Sequence, residues 1–359
     1  MEKVIDLSPI ERPKKSTPWS AISVKSRLIL IVASLVPAVI FLYLLTTFNL
    51  DFMAGLLLTF LPMQLVSSSL AGILILGRRG ILDGLMIVTT LFLGSFVFVL
   101  LMSVMWAVID RGFAALSPQF IYQNDVYVTP TTGLEIGGVG HAIVGTLLLV
   151  GLSTIVTVPL ALATAVYLTE TRSKSRGLIR TLLQALSGLP SVVSGLFIYS
   201  MLIVTGVTAY AGWVGSLALI PLMLPTVARV AEEALRLVPT ELRNGALGLG
   251  ASAWSAFSQV TLPAAKSGLV TAVLLGVARI VGETAPLLLT TALANNTSLN
   301  MIEGGISTLP TYLYTYVGLG YDTSIQRAWG AALVLLIVVG ILFAAARIAS
   351  AGKKAKKRK

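Results

Sequence analysis

Arg279 and Glu283 stand four residues apart inside the long hydrophobic run 264–292. On an uninterrupted helix that spacing puts both side chains on one face. At about 100° per residue, Gly268, Ala272, Gly276 and Pro286 fall within the same arc. A charge at mid-membrane costs about 2.5–3.5 kcal/mol on insertion scales, whereas an exposed i,i+4 ion pair returns only about 0.2–0.5 kcal/mol. The pair cannot offset its own burial, so a polar cavity or further partners are expected. A guanidinium is a natural donor array for a tetrahedral oxyanion. Two readings follow: an anion pathway or gate, or a bridge within a closely packed helix bundle.

Two further stretches carry candidate chemistry. Ser187-Gly-Leu-Pro-Ser191-Val-Val-Ser194-Gly195 is expected to break at Pro190, which supplies no backbone N–H. Broken helices at membrane depth line substrate cavities, and the hydroxyls of Ser187, Ser191 and Ser194 are donors for an anion there. Packing alone is the other reading. The second stretch, 231–263, is expected to divide at Pro239 into AEEALRLV and ELRNGALGLG, followed by ASAWSAFSQV. Leu235, Leu237, Val238, Leu242, Leu247, Leu249, Trp254 and Phe257 are interleaved there with Glu232, Glu233, Arg236, Glu241 and Arg243. Short amphipathic pieces of this kind seat in a partner's groove. Lying flat on the membrane is the alternative, weakened by the acidic residues, since interfacial helices are Lys/Arg-rich.

The elements that must position these groups are membrane helices. The 359-residue chain is 56% hydrophobic and 11% charged, with mean hydropathy +0.90. That balance defines an all-α polytopic membrane helical bundle rather than a soluble domain. Eight spans are expected: 28–48, 52–76, 85–109, 139–168, 181–205, 213–228, 264–292 and 328–348. The sixth is short and carries Pro221 and Pro225. The first is too long for a signal-peptide core and reads as an anchored helix.

With the N-terminus in the cytoplasm, 23 of the 26 Lys and Arg fall on the inner side. Arg111 and Arg327 lie outside and Arg279 within a span, a positive-inside pattern that puts both termini in the cytoplasm. The formal charge of +11 is thereby explained by topology and contact with anionic membrane lipid, not by nucleic acid. In the outer segments 110–138 and 295–326, Tyr312, Tyr314, Tyr316 and Tyr321 suit the water–lipid boundary, with a docking surface as the alternative. There is no cysteine and one histidine, His141, which excludes disulfides and thiolate metal sites and argues against a histidine-based one. No G-x-x-x-x-G-K-[ST] run occurs, so uphill transport must draw on a partner ATPase or an ion gradient. No cofactor or metal is called for.

The chain divides into a cytoplasmic segment 1–27, nearly featureless N-terminal helices 28–110, a core 139–349 holding nearly every motif, and a basic tail 350–359. Within that core, NGALGLGASAWSAFSQVTLP resembles the EAA loop of ABC-transporter permeases. Gly250, Phe257 seven residues on, and the closing Leu262-Pro263 match. Asn244 stands where that family has its leading Glu and Gly245 where it has its first Ala, while Ala246 agrees. Glu241 or Glu233 would then supply the acidic contact with an ATPase.

The flanking blocks GGVGHAIVGTLLLV, AVYLTE, SGLPSVVSGLF, EALRLVP, ARIVGETAPLLL and TLPTYLYTYV are similar to those of the PstA family of phosphate permease subunits. GETAPLL separates it from the sister permease PstC. The resemblance implies a type I ABC importer permease core of the MetI-like kind and import of inorganic phosphate. It also implies a PstC-like sister permease, two copies of a PstB-like ATPase, a PstS-like phosphate-binding protein and a transport role for Arg279 and Glu283. Six spans are usual in the family, so the runs within 28–76 are additional. On the residues alone three alternatives stay open: a permease for another oxyanion such as molybdate or sulfate, an ATP-independent secondary transporter or channel, and a membrane scaffold or sensor.

Overall fold

The computed structural model describes residues 24–48, 55–77, 80–171 and 173–350, and its regular structure there is entirely helical. Nearly all of the expected cytoplasmic segment 1–27 and of the tail 350–359 lies outside the described residues. The chain forms two compact units, Met1–Val104 and Met105–Lys359.

In the first unit α1 (Val24–Phe48) pairs with α2 (Leu61–Leu76), which is entered through a π-helical turn, Leu56–Phe60. Pro37 inside α1 has no N–H, so the carbonyl of Ala33 loses its helical donor. Side chains of α2 replace it: Ser67 Oγ donates to that oxygen at 2.8 Å and Gln64 Nε2 at 3.3 Å. Lipid offers no water to an orphaned carbonyl, so these donors both rescue the proline-bearing helix and pin its neighbour. The next helix, α3, runs Gly80–Phe113.

The second unit contains α4 (Pro118–Tyr122), α5 (Gly140–Glu170), α6 (Arg176–Ser187) and α7 (Ser191–Ile198), the last continued by a π-helical turn, Tyr199–Val204. Then come α8 (Gly212–Arg236), α9 (Thr240–Gly248) and α10 (Ala253–Ala256), which passes through the turn Phe257–Thr261 into α11 (Leu262–Val281). The order closes with α12 (Ala285–Thr290), α13 (Leu309–Gly318) and α14 (Asp322–Ser350).

Helix α8 is the axis of this unit, with α5, α7, α11 and α12 packed on it. Leu219, Leu222, Met223, Val227 and Ala231 are fully buried. Hydroxyls tie its neighbours down: Ser153 Oγ donates to Ser216 O at 3.0 Å and Ser216 Oγ to Leu149 O at 3.2 Å. The short span expected at 213–228 is thus corrected to 25 residues that run through both prolines. Packing on several sides and side-chain hydrogen bonds hold a proline-bearing helix together where isolated propensity would end it.

Among the described residues seven helices are long and apolar enough to cross a membrane. Helices α6 and α7 make an eighth span only as a pair, bent by 99°. The expected span 181–205 is therefore a sharp bend, and the one expected at 264–292 ends at Val281.

Candidate functional site

Small residues lay α11 on α8. Ala272 is fully buried, and a Cβ on Gly276 would stand 2.3 Å from Val227 Cγ2, too close for any side chain. That seam turns Ser267, Thr271, Leu275 and Arg279 outward, four residues apart and all exposed. On α8 and its C-terminal cap, Arg229, Glu233 and Leu237 are exposed in the same i,i+4 register. The two faces meet in a cleft lined by Glu233, Leu237, Ser267 and Thr271. One turn from the end of α11, Arg279 Nη1 donates across to Thr226 Oγ1 at 3.4 Å. A cation in that last turn faces the negative end of the helix dipole, favourable by about 0.3–1 kcal/mol. Its guanidinium is exposed rather than sealed in protein.

Glu283 lies beyond the end of that helix. The helix stops at Val281, Glu283 N–H bonds back to Ile280 O at 3.2 Å, and α12 restarts at Ala285 with Pro286 in its first turn. No ion pair joins Arg279 to Glu283 among the described residues. The cause is local: a continuous helix would require an N–H at Pro286 for the carbonyl of Gly282, whereas proline fits a first helical turn. Glu283 is left half-buried in the break.

The serine motif breaks at Pro190 as its sequence requires, but two of its hydroxyls are already engaged. Ser194, buried, donates to Ala218 O of α8 at 2.6 Å, and Ser187 donates to Leu183 O in its own helix at 2.8 Å. Both bonds are made within the bundle. Ser191, half-buried at the start of α7, carries no such bond. Gly195 lies against Pro286, so the Ser/Gly motif and the GETAPLL motif meet in space.

In the segment 231–263 the first piece is no separate helix: AEEALR is the end of α8, held by burial of Ala231, Glu232 and Leu235. ASAWSAFSQV likewise runs unbroken into α11, with Phe257 buried in the core and Leu262-Pro263 at its first turn. Only α9 stands apart, and none of its residues is buried. It displays Glu241, Leu242, Asn244 and Gly245, with Ala246 half-buried, and neighbours the exposed Leu249 and Trp254. Gly250, at φ +89°, makes the turn that follows, a backbone region only glycine enters without strain. Glu233 is exposed on the face already described.

Two acids hold this segment. Glu232, 8% exposed, accepts from Arg180 Nη2 at 2.8 Å and from Arg236 Nη2 at 2.6 Å. Glu170, closing α5, receives a forked contact from Arg243 of α9, Nη1 to Oε1 at 3.1 Å.

At the other end lies a buried polar cluster. Arg327, 1% exposed, donates from Nη2 to Gly133 O at 2.7 Å and Ile136 O at 2.6 Å. Its Nη1 is 4.0 Å from Asp125 Oδ1, and Asp125 also accepts from Tyr316. Tyr312 is buried and stacked on Tyr316 with ring centroids 4.2 Å apart. Of the four tyrosines expected at a lipid boundary, only Tyr314 and Tyr321 are well exposed, because the other two face this cluster.

A multi-pass bundle with a displayed α9 and an open polar helix face defines a class of membrane transport component. Residues 157–351 match the family described as binding-protein-dependent transport system inner membrane component, and the chain belongs to that family. It is 38% identical over 264 residues to the phosphate transport system permease protein PstA 1 of Mycobacterium tuberculosis, covering 72% of this chain and 86% of that protein. It is 40% identical over 240 residues to the phosphate transport system permease protein PstA of Haemophilus influenzae, covering 66% and 82%. A chain of an inward-facing MetNI methionine ABC transporter superimposes with a TM-score of 0.48 at 21% identity, over 57% of this chain and 91% of that one. The likeness to PstA read from short blocks therefore extends over most of the chain.

Proposed function

We propose that this chain is the permease half of an ATP-driven importer of inorganic phosphate, with both termini in the cytoplasm. The observation that carries the reading is the exposed guanidinium of Arg279 on the α8–α11 face. Left against lipid it would cost about 2.5–3.5 kcal/mol. A PstC-like sister permease closing over that face would instead enclose a polar path, in which Arg279 lends its unused donors to a passing oxyanion. The 38% and 40% identical relatives named as phosphate permeases support phosphate as the anion.

Energy enters through α9. This helix, displayed without a buried residue, seats in one of two PstB-like ATPase copies, with Glu233 or Glu241 in place of the acid missing at Asn244. A PstS-like protein delivers phosphate to the opposite end. The turn at Gly250 sets the angle between α9 and the start of the α10–α11 span. A Gly250→Val substitution strains it by about 1–3 kcal/mol and is expected to leave ATP hydrolysis running without uptake. Coupling that survives the substitution would remove the turn from the mechanism.

The test of the pathway uses the assembled importer in vesicles, with phosphate uptake and ATP hydrolysis followed together. Arg279→Gln is expected to lower uptake at least tenfold, the loss of a charge-assisted contact of about 1.5–3 kcal/mol, while the ATPase still co-purifies. Normal uptake would make Arg279 structural. Equal competition by sulfate or molybdate would shift the substrate to oxyanions at large. Gradient-driven uptake by the chain alone would point to a secondary transporter.

A further inference from the structure

Beside α9 lies a partly open cavity of about 250 Å³ that the transport reading does not use. Its wall is built from the ends of several elements: Glu170 of α5, Arg176 of α6, Arg236 of α8, Thr240 and Arg243 of α9, and Thr261 before α11. The charges are already partly spent. Arg243 forks onto Glu170 and Arg236 donates to Glu232, which leaves Arg176 without an acidic partner among the described residues.

Thr261 is only 5% exposed and its Oγ1 has no hydrogen-bond partner, and the buried Nε of Arg176 is in the same position. Buried polar atoms of native proteins are nearly always satisfied, so two unsatisfied ones on residues that line the same small cavity call for an occupant. The first turn of α9 adds to them, since Pro239 precedes it and no side chain caps its N–H groups. A guanidinium, a hydroxyl and an uncapped helix start all offer hydrogen, and the one carboxylate present is taken. The complementary ligand is an acceptor with several oxygens.

We infer that this cavity binds a small tetrahedral oxyanion of the phosphate class, either free inorganic phosphate or the phosphate of an anionic lipid headgroup. Its volume, below the roughly 300–1,000 Å³ of sites for drug-sized ligands, suits one such ion with a few waters. The bound anion ties Arg176 to the start of α9 and to Thr261. On the reading of α9 as the ATPase contact, on which this last step rests, occupancy clamps that contact and slows hydrolysis.

The test uses full-length Arg279→Gln protein, so that the pathway cation does not contribute. One sample in phosphatidylcholine vesicles is titrated with inorganic phosphate by calorimetry. A second is purified from vesicles containing phosphatidylglycerol, and the retained lipid is measured by mass spectrometry. Saturable phosphate binding assigns the site to the free ion and retained phosphatidylglycerol assigns it to the headgroup. In either case Arg176→Gln and, separately, Thr261→Val should weaken binding about tenfold. The Thr261→Val protein keeps the test decisive if Arg176→Gln does not fold. Absence of binding in both samples, or binding that neither substitution alters, overturns the site. Phosphate that binds in the assembled importer without slowing ATP hydrolysis leaves the site standing and counts against α9 as the ATPase contact, so the two failures read differently.

Discussion

Arg327 and Arg279 carry the same guanidinium into opposite surroundings. Arg327 is sealed at 1% exposure, its Nη2 engaged by loop carbonyls and its charge set beside Asp125. Arg279 is exposed at the end of α11 with a single 3.4 Å contact to Thr226. A buried arginine whose Nη2 is bonded to loop carbonyls and whose charge faces a carboxylate organises the backbone around it and is closed to a passing anion. One held by a single long hydrogen bond keeps most of its five donors for a transient anion. Position along the chain suggests the reverse order of burial, since Arg279 falls within an expected span and Arg327 outside one. Burial and partners, not position, separate the arginine that holds the fold from the one that can serve transport.

The largest effect that would break this contrast concerns stability. Arg327→Met strands Asp125 in a buried site and is expected to cost about 3–5 kcal/mol, read as lost thermal stability and yield in detergent. Arg279→Met should stay within about 0.5 kcal/mol, as for an exposed position. Equal losses for the two variants would erase the distinction. Next comes Glu232→Gln, which weakens the grip on Arg180 and Arg236. We expect a loss of about 1.5–3 kcal/mol, in line with hydrogen bonds to a charged group. An unshifted melting curve would mean that these arginines find water as readily.

A smaller effect depends on pH. Burial first, then the hydrogen bond to Asp125, push the Tyr316 hydroxyl above the usual tyrosine range. The folded protein keeps that proton while the unfolded chain releases it near pH 10. The associated stability is therefore intact below about pH 10 and falls as pH rises beyond it. Tyr316→Phe should flatten this alkaline decline in a melting series, and an identical slope would show the hydroxyl to be uninvolved. The smallest change is Tyr312→Phe. Its buried hydroxyl lies close to Asp125 and Tyr316 without making a well-formed hydrogen bond to either, so removal should be neutral or slightly stabilising, within about 0.5 kcal/mol. A loss beyond 1 kcal/mol would reveal a partner in the cluster.

The two units differ in a similar way. The most apolar stretches of α2 with its leading turn and of α3 are 6% buried, whereas that of α8 is 61% buried. Hydropathy, which records only affinity for an apolar medium, scores lipid and protein interior alike. It therefore finds both sets of helices and cannot tell one packed on several sides from one left largely bare. Glycine spacing does better: the small residues at 268, 272 and 276 announce the close seam with α8 that the structure shows.

What this sequence determined by itself follows from local chemistry. Composition sets the membrane class, Pro190 sets the bend between α6 and α7, Gly250 sets the turn after α9, and the blocks from GGVGHAIVGTLLLV to TLPTYLYTYV set the family. The stop at Val281 is local too, written in Pro286, and is obscured only when four-residue spacing is assumed to continue through it. Tertiary structure alone decided which polar groups are spoken for. Ser194 is taken by Ala218, Glu232 by Arg180, Glu170 by Arg243 and Arg327 by a loop far away in sequence. A hydrogen bond depends on which atoms the folded chain brings within about 3 Å, and for partners this distant in sequence that proximity exists only once the helices have packed.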